Sequence, residues 1–378
     1  MELMKLMEDW KGYTSLTEMG ARHTDAEIAA FNNLIGNARN YPAYKHEYLL
    51  REAMTTSDFP YLFGDVTDRQ MLAAYQAIEP EWKKYMRIKT VNRLYPWVGG
   101  RRFAITLGGM YLGEVGEKGE YLALEKTEKK YDVYARKYGN QIDISWETMI
   151  ADDLGALKDS PSEMAWLAAN TEHYTAVNLY ADDIGTHVVG GNLYENGVNA
   201  DVLPLTIANL EASVAAMAAI RHPSGQPIRN RAKYLVISDG GLEFTARQIL
   251  TSANKMWTQT TALAAPVAYP TANVISQYGL QLIVDPWLSI AGTAGWTANS
   301  WYLFADPANI AAIECDYLKG HERPEVCMKA SDKVTIGGGA LNPMSGDFAT
   351  DNIFYRIRQC FGANKLDWRA TYYNRVAD

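Results

Sequence analysis

Tyr131-Asp132-Val133-Tyr134-Ala135-Arg136 sets Tyr131, Val133 and Ala135 on one face and Asp132, Tyr134 and Arg136 on the other. A period of two is the mark of a strand with one side turned inward. The alternation belongs to a longer segment, Phe103 to Ile144, in which Gly108-Gly109 and Gly116 to Gly119 supply turn signals. The segment reads as a long β-hairpin. Between Tyr111 and Tyr138, six acids (Glu114, Glu117, Glu120, Glu125, Glu128, Asp132) face six bases (Lys118, Lys126, Lys129, Lys130, Arg136, Lys137), and the charges cancel. A ribbon so laced with charge buries little of itself, and an isolated two-stranded hairpin is marginal in water. Another molecule is its expected support.

On the N-terminal side the character is helical. Thr24-Asp25-Ala26-Glu27 has the capping-box pattern and is followed by Ile28, Phe31 and Leu34 at helical spacing. A second helical stretch after Pro42 carries Tyr48, Leu49 and Ala53, and Thr67-Asp68-Arg69-Gln70 opens a third through Met71, Leu72 and Tyr75 to Pro80. Each piece has too few apolar positions for a core of its own, so this leader needs a surface to lie on.

On the C-terminal side, Ser160-Pro161-Ser162-Glu163 combines a capping hydroxyl, a proline suited to the first helical position and the reciprocal glutamate. It predicts a long helix from Pro161 to about Asp182. Another helix is expected from about Leu205 to Ile220, where Ile207, Leu210, Val214 and Met217 share a stripe. Tyr234 to Ile237 reads as a buried strand, Ser238-Asp239 as the cap of a helix through Leu242, Ala246 and Ile249, and Leu280 to Val284 and Trp301 to Phe304 as further strands. Ile353 to Ile357 and Trp368 to Tyr373 complete a sheet begun earlier. The class is α+β.

The chain has 378 residues, 48% apolar and 21% charged, which is ample material for a core. Its 36 Lys and Arg against 44 Asp and Glu give a net charge of −8, which disfavours a protein whose main affinity comes from neutralising duplex phosphates. No stretch reaches the roughly 18 apolar residues that cross a bilayer, and the opening Met1 to Trp10 mixes charge with apolar residues, so neither a signal peptide nor a membrane partner is expected. Cys315, Cys327 and Cys360 have no CxxC spacing and read as reduced, buried small side chains. His23, His46, His173, His187, His222 and His321 form no HxH or HExxH pair, so no metal and no cofactor are expected.

Catalytic constellations are equally thin. Neither GxxxxGK[ST] nor GxGxxG occurs, and Gly337-Gly338-Gly339 lacks a following helix start. His222 and Ser224 adjoin in a proline-rich turn, not on a GxSxG elbow, which leaves a hydrolase as a distant alternative. Asp152-Asp153 and Asp182-Asp183 are neighbours that point apart on a helix. The 10 tryptophans and 24 tyrosines are more suggestive, since aromatics concentrate at protein interfaces, although about two-thirds of them belong in a core. The chain has abundant means of touching other chains and no assembled means of catalysis. A structural protein, not an enzyme, is expected.

At Leu50-Arg51-Glu52-Ala53-Met54-Thr55-Thr56-Ser57-Asp58-Phe59-Pro60, again at Tyr138-Gly139-Asn140-Gln141-Ile142-Asp143-Ile144-Ser145-Trp146-Glu147 and on to Leu157, and in the ending Arg356 to Ala363 followed by Asp367-Trp368-Arg369, the sequence resembles the major capsid proteins of tailed bacteriophages, Mu-like prophage major head subunits in particular. The resemblance covers most of the chain from about residue 47 onward. It implies the Hong Kong 97 capsid fold: an N-terminal arm (1–90), an extended loop (91–140), a peripheral domain with the spine helix (141–230), an axial domain (231–319) and peripheral C-terminal strands (320–378). It implies inter-subunit contacts from Tyr111, Glu114, Glu117, Lys118, Glu120, Tyr121, Lys126, Lys129 and Lys130 of the loop, and a spine helix carrying Pro161, Glu163, Trp166, Leu167 and Tyr174.

The implied partners are copies of the chain in hexamers and pentamers, a portal, scaffold or decoration proteins, and packaged double-stranded DNA met without sequence readout. The implied location is a virion capsid assembled in the host bacterial cytoplasm. Head-to-tail contacts that close into rings, and rings into a shell, would supply what the leader and the ribbon lack. An encapsulin-type nanocompartment shell is the alternative on the same fold.

Overall fold

The computed structural model describes residues 71–107, 126–145, 154–187, 191–222, 225–238, 240–259, 267–291, 299–329, 331–334 and 346–375, together with 115, 117 and 336. In chain order, the strands are β1 (Arg87–Val91), β2 (Gly100–Leu107), β3 (Lys126–Val133), β4 (Arg136–Ile144), β5 (Ala200–Asp201), β6 (Ala232–Ser238), β7 (Asn254–Gln259), β8 (Val267–Ala272), β9 (Gln281–Asp285), β10 (Trp301–Ala305), β11 (Ile313–Leu318), β12 (Glu325–Met328), β13 (Ile353–Lys365) and β14 (Thr371–Asn374). After a helical stretch at residues 71–77, the α-helices are α1 (Leu154–Asn178), α2 (Ile207–Ala219), α3 (Gly241–Thr251) and α4 (Val274–Tyr278). The described residues fall into two compact units: 71–78, 137–170 and 323–359 form the first, and 79–136, 171–322 and 360–375 form the second.

In the first unit, residues 353–359 of β13 pair antiparallel with β12, Val326 opposite Ile357, and β4 pairs with β13 as well. Ile353, Tyr355 and Ile357 point to one side of this sheet at the strand period of two. Met164, Ala165, Ala168 and Ala169 of α1 and Met71, Leu72 and Tyr75 of the helical stretch pack on them. Alanine lets a helix approach closely, and the i, i+4 rows at 164/168 and 165/169 form a stripe two residues wide. The Tyr75 hydroxyl accepts a hydrogen bond from Gln359 Nε2 (3.4 Å), which fixes the helical stretch on the strand.

The second unit holds a mixed five-stranded sheet in the order β5-β14-β10-β6-β9. β6 runs parallel to β9 and antiparallel to β10, with Leu235 opposite both Leu282 and Leu303. The run Leu235-Val236-Ile237 is wholly buried, as suits a central strand. Beside this sheet, β1 pairs parallel with β11, and β11 pairs antiparallel with residues 361–365 of β13. β2 and β3 form an antiparallel hairpin, Gly100 opposite Val133 and Leu107 opposite Lys126.

Several expectations need correction. α1 begins at Leu154 and ends at Asn178, so Pro161 lies inside the helix instead of opening it. A capping motif is a local preference, and an interior proline forfeits one backbone hydrogen bond, here to the Leu157 carbonyl, without abolishing a 25-residue helix. The hairpin closes at Val133, and residues 136–144 leave it as β4. α3 is capped by Gly240, not by Ser238-Asp239: β6 extends to Ser238, so the turn falls on Gly240, whose φ of 93° favours glycine. The strand expected from Trp368 starts at Thr371, because the Asp367 carboxylate accepts from Arg369 N and holds Trp368–Ala370 in a 3-10 turn. Cys315 and Cys360 are buried thiols, but Cys327 is exposed.

The leader also departs from expectation where it is described. Met71, Leu72 and Tyr75 are buried in the first unit, and Trp82, Tyr85 and Met86 are buried in the second. For these residues the chain itself provides the surface they need. Residues 1–70 lie outside the described residues.

Candidate functional site

The second unit concentrates its polar geometry at the root of the β2–β3 hairpin. Glu314 and Asp316 stand two apart on β11 and so share a face, and both are completely buried. Arg102 of β2 reaches them: its Nε donates to Glu314 Oε1 at 2.5 Å and its Nη2 to Asp316 Oδ1 at 3.2 Å. One guanidinium thus serves two buried carboxyl groups. Burial pushes the Asp316 carboxyl up to about 7, the Glu314 charge adds to the rise, and Arg102 and Asn364 pull against it.

Asn364 of β13 completes the root. Its Oδ1 accepts from Tyr134 N and its Nδ2 donates to Tyr134 O, each at 3.0 Å, and Nδ2 also donates to Asp316 Oδ2 at 3.0 Å. The side-chain amide therefore stands in for a neighbouring strand where the hairpin ends. Gly362 makes this approach possible, because a Cβ there would lie 2.0 Å from the Tyr134 carbonyl oxygen. Val91, Val133 and Ala135 form a small apolar cluster with Leu94 and Leu366.

The loop between β1 and β2 forms a shelf beside that root. Asn92 N donates to Gly99 O (3.3 Å), Gly99 N to Val133 O (3.0 Å), Tyr95 N to Ala135 O (2.8 Å) and Trp97 N to Leu94 O (3.0 Å). Despite this tight backbone, Tyr95 and Trp97 are exposed, Trp97 at 68%. Arg93, Trp97, Val98, Gly100 and Arg101 line an open concavity of about 510 Å³. Arg136 lies over the Tyr95 ring at 4.6 Å.

The loop residues expected at subunit contacts divide by what is described. Lys126, Lys129 and Lys130 lie on β3; Lys130 is exposed and pairs with Asp132 at 3.1 Å, and Glu117 is exposed. Tyr111, Glu114, Lys118, Glu120 and Tyr121 lie outside the described residues. On α1, Pro161 is in the helix, while Glu163, Trp166 and Leu167 are exposed in the first unit, Trp166 at 62%. Tyr174, in the second unit, is exposed and sits edge-on to Trp287, ring centres 6.1 Å apart. Sequence reading missed Arg102, Glu314, Asp316, Asn364 and Trp97. The partners of the first four are up to 230 residues away, so no local pattern marks them, and nothing local sets the exposed Trp97 apart from the buried tryptophans.

Among the described residues, no group of three or more His, Cys, Asp or Glu side chains is placed to hold a metal ion. Ser224 of the hydrolase alternative lies outside the described residues. No helix among them is long and apolar enough to cross a membrane.

A family model described as phage capsid protein matches residues 129–374, nearly two-thirds of the chain. Among solved structures, the chain is similar to one of Gordonia phage Cozz, at 15% identity and a TM-score of 0.46, over 78% of this chain and 85% of that one. It is similar to one of Mycobacterium phage Ogopogo at 14% identity and a TM-score of 0.41, over 76% and 90% of the two chains. It is also similar to the holo-SrpI encapsulin complex from Synechococcus elongatus PCC 7942 at 9% identity and a TM-score of 0.44, over 80% and 89%. No curated protein matches.

Proposed function

The chain belongs to the phage capsid protein family and has a mixed α+β fold of Hong Kong 97 type, and on that premise we propose that it is a major capsid protein, of the Mu-like head subunit kind, that self-assembles into hexamers and pentamers of an icosahedral shell around double-stranded DNA. The family match over residues 129–374 carries this reading. In it, residues 1–90 are the arm, 91–140 the extended loop, 231–319 the axial domain, and 141–230 with 320–378 the peripheral domain. The spine helix is α1. Portal, scaffold and decoration proteins are its further partners, and the virion, assembled in the bacterial cytoplasm, is its place.

The physical support is the division of labour at the hairpin. Its root is clamped by Arg102, Glu314, Asp316 and Asn364, whereas its charge-neutral sequence further out cannot fold over a core of its own. A ribbon held rigidly at one end is suited to lie on a neighbouring subunit. Many such contacts, each modest, hold every copy by avidity. DNA would meet scattered Lys and Arg through mobile counterions, which an acidic subunit permits.

Negative-stain microscopy of the purified chain tests the reading. Shells, tubes or rings are expected, and deletion of Tyr111 to Lys130 should leave a folded subunit that no longer closes shells. A homogeneous monomer at high concentration would overturn the proposal, and particles that enclose a cargo peptide instead of DNA would turn it toward an encapsulin-type compartment.

A further inference from the structure

Two exposed aromatic features of opposite charge stand one in each unit. On the second unit, the Trp97 shelf carries Arg93 and Arg101, with Arg136 over Tyr95 next to it. Asp132, opposite Arg101 on β3, is already shared between Lys130 at 3.1 Å and Arg101 at 3.8 Å. Among the described residues, the shelf therefore has a surplus of positive charge around a flat apolar ring.

On the first unit, Phe348 is 81% exposed at the tip of a turn between Asp347 and Asp351. The turn is firmly built: Phe348 N donates to Asp332 Oδ1 (2.8 Å), Thr350 N and Oγ1 donate to Asp347 Oδ1 (3.0 and 2.7 Å), and Asp351 N donates to Asp347 O (3.2 Å). Lys333 pairs with Asp351, and Lys329 lies 3.9 Å from Asp332. Asp143, which accepts from Asn352 at 3.4 Å, adds a further acid. Four acids against two lysines leave the knob negative.

We propose that the Asp347–Asp351 turn of one copy docks on the Arg93–Trp97–Arg101 shelf of the next, Phe348 against the indole and the acids against the guanidiniums. The proposal rests on the capsid reading and names a contact within it. Charge complementarity selects a second copy as the occupant, and different surfaces meeting head to tail are what rings require. Duplex DNA is the poorer occupant: phosphates would use the arginines but leave the indole and Val98 without an apolar partner. Both partners are held by backbone hydrogen bonds, so little ordering entropy is lost on docking, and Trp with Arg is the usual composition of an energetic hot spot.

The test uses the full chain with the exposed thiol removed by Cys327→Ser. Copies carrying Trp97→Cys and copies carrying Phe348→Cys are co-expressed and treated with a short bis-maleimide, since two facing large side chains hold their Cα atoms farther apart than a disulfide reaches. A cross-linked dimer of the two variants is expected, with none when either variant is treated alone. In parallel, Trp97→Ala should raise the concentration needed for assembly by ~30-fold or more, the usual scale of a hot-spot residue, without changing the unfolding midpoint. Particles that form normally with Trp97→Ala and yield no mixed cross-link overturn the contact but leave the capsid reading standing. Loss of DNA retention with assembly unchanged also overturns it, in favour of a nucleic-acid surface. Failure of the unsubstituted chain to associate at all overturns both.

Discussion

Inside the second unit and on its Trp97 shelf, the chain uses the same residue types to opposite ends. In the interior, the Tyr302 and Tyr373 rings stack at 4.6 Å and 12°, Tyr180 meets Phe304 edge-on at 5.3 Å, and the hydroxyls of Tyr85, Tyr180, Tyr194 and Tyr373 are tied down. Tyr194 OH bonds Thr371 Oγ1 at 3.0 Å, Tyr85 OH bonds Tyr180 OH at 2.9 Å, and Tyr373 OH donates to Asp182 Oδ1 at 2.6 Å. On the shelf, Tyr95 and Trp97 face water from a loop whose backbone is just as firmly bonded. The difference is what the rings have to pack against. Strands pile the interior aromatics on one another, whereas the shelf presents its rings outward on a stiff mount. Interior aromatics therefore determine whether the unit folds, and shelf aromatics determine whom it meets.

The interior side of that contrast should break first. Phe304→Ala removes a ring packed against both Tyr85 and Tyr180 at a fully buried position and is expected to cost about 4 kcal/mol in denaturant unfolding. A cost below about 1 kcal/mol would mean that the aromatic cluster is not the core of the unit. Arg102→Ala comes next, at roughly 3 kcal/mol, because it strands Glu314 and Asp316 without a cation. Hydrogen exchange should then show early opening at residues 100–102 and 131–135, the hairpin root, ahead of β6.

The same clamp gives the unit a pH dependence. The folded chain holds the Asp316 proton up to about pH 7, while the unfolded chain releases it near 3.9. Between those values the folded state binds more protons at this group, so the contribution of Asp316 to stability falls as pH rises from about 4 to about 7. Asp316→Asn, which keeps an acceptor for Arg102 and cannot ionise, should flatten that slope. A profile that still falls over the same range in this variant would assign the effect to another group. Smaller again is Tyr194→Phe, which removes one buried hydrogen bond to Thr371 and should cost about 1 kcal/mol.

Much of the frame was legible because it is written in local periods. The stripe Ile207, Leu210, Val214, Met217 yields α2 with Thr206 as its cap, and the apolar run from Tyr234 to Ile237 yields β6. The ends of elements were less legible, since they depend on what lies across the sheet: α1 runs through Pro161, and β6 takes in Ser238, a residue type that also suits a helix cap. The binding features were barely legible. Arg102 meets Glu314 and Asp316 across more than 200 residues, and Gly362 is a glycine because the Tyr134 carbonyl approaches it. Composition revealed an excess of aromatics but could not separate Tyr302, which is buried, from Trp97, which is not.

That separation is sharpest in the smallest expected effect. Trp97→Ala keeps the backbone hydrogen bond from residue 97 to the Leu94 carbonyl and removes a ring that makes most of its contact with water. Its effect on unfolding should stay within about 0.5 kcal/mol, as for surface substitutions generally. Calorimetry of the dissociated chain measures it directly, beside Phe304→Ala as the interior control. Two aromatic truncations in one unit, one costing several kcal/mol and the other almost nothing, would establish that the shelf tryptophan is not held there for the fold. A large loss at Trp97 would instead make it part of the core and remove the reason to look for a partner.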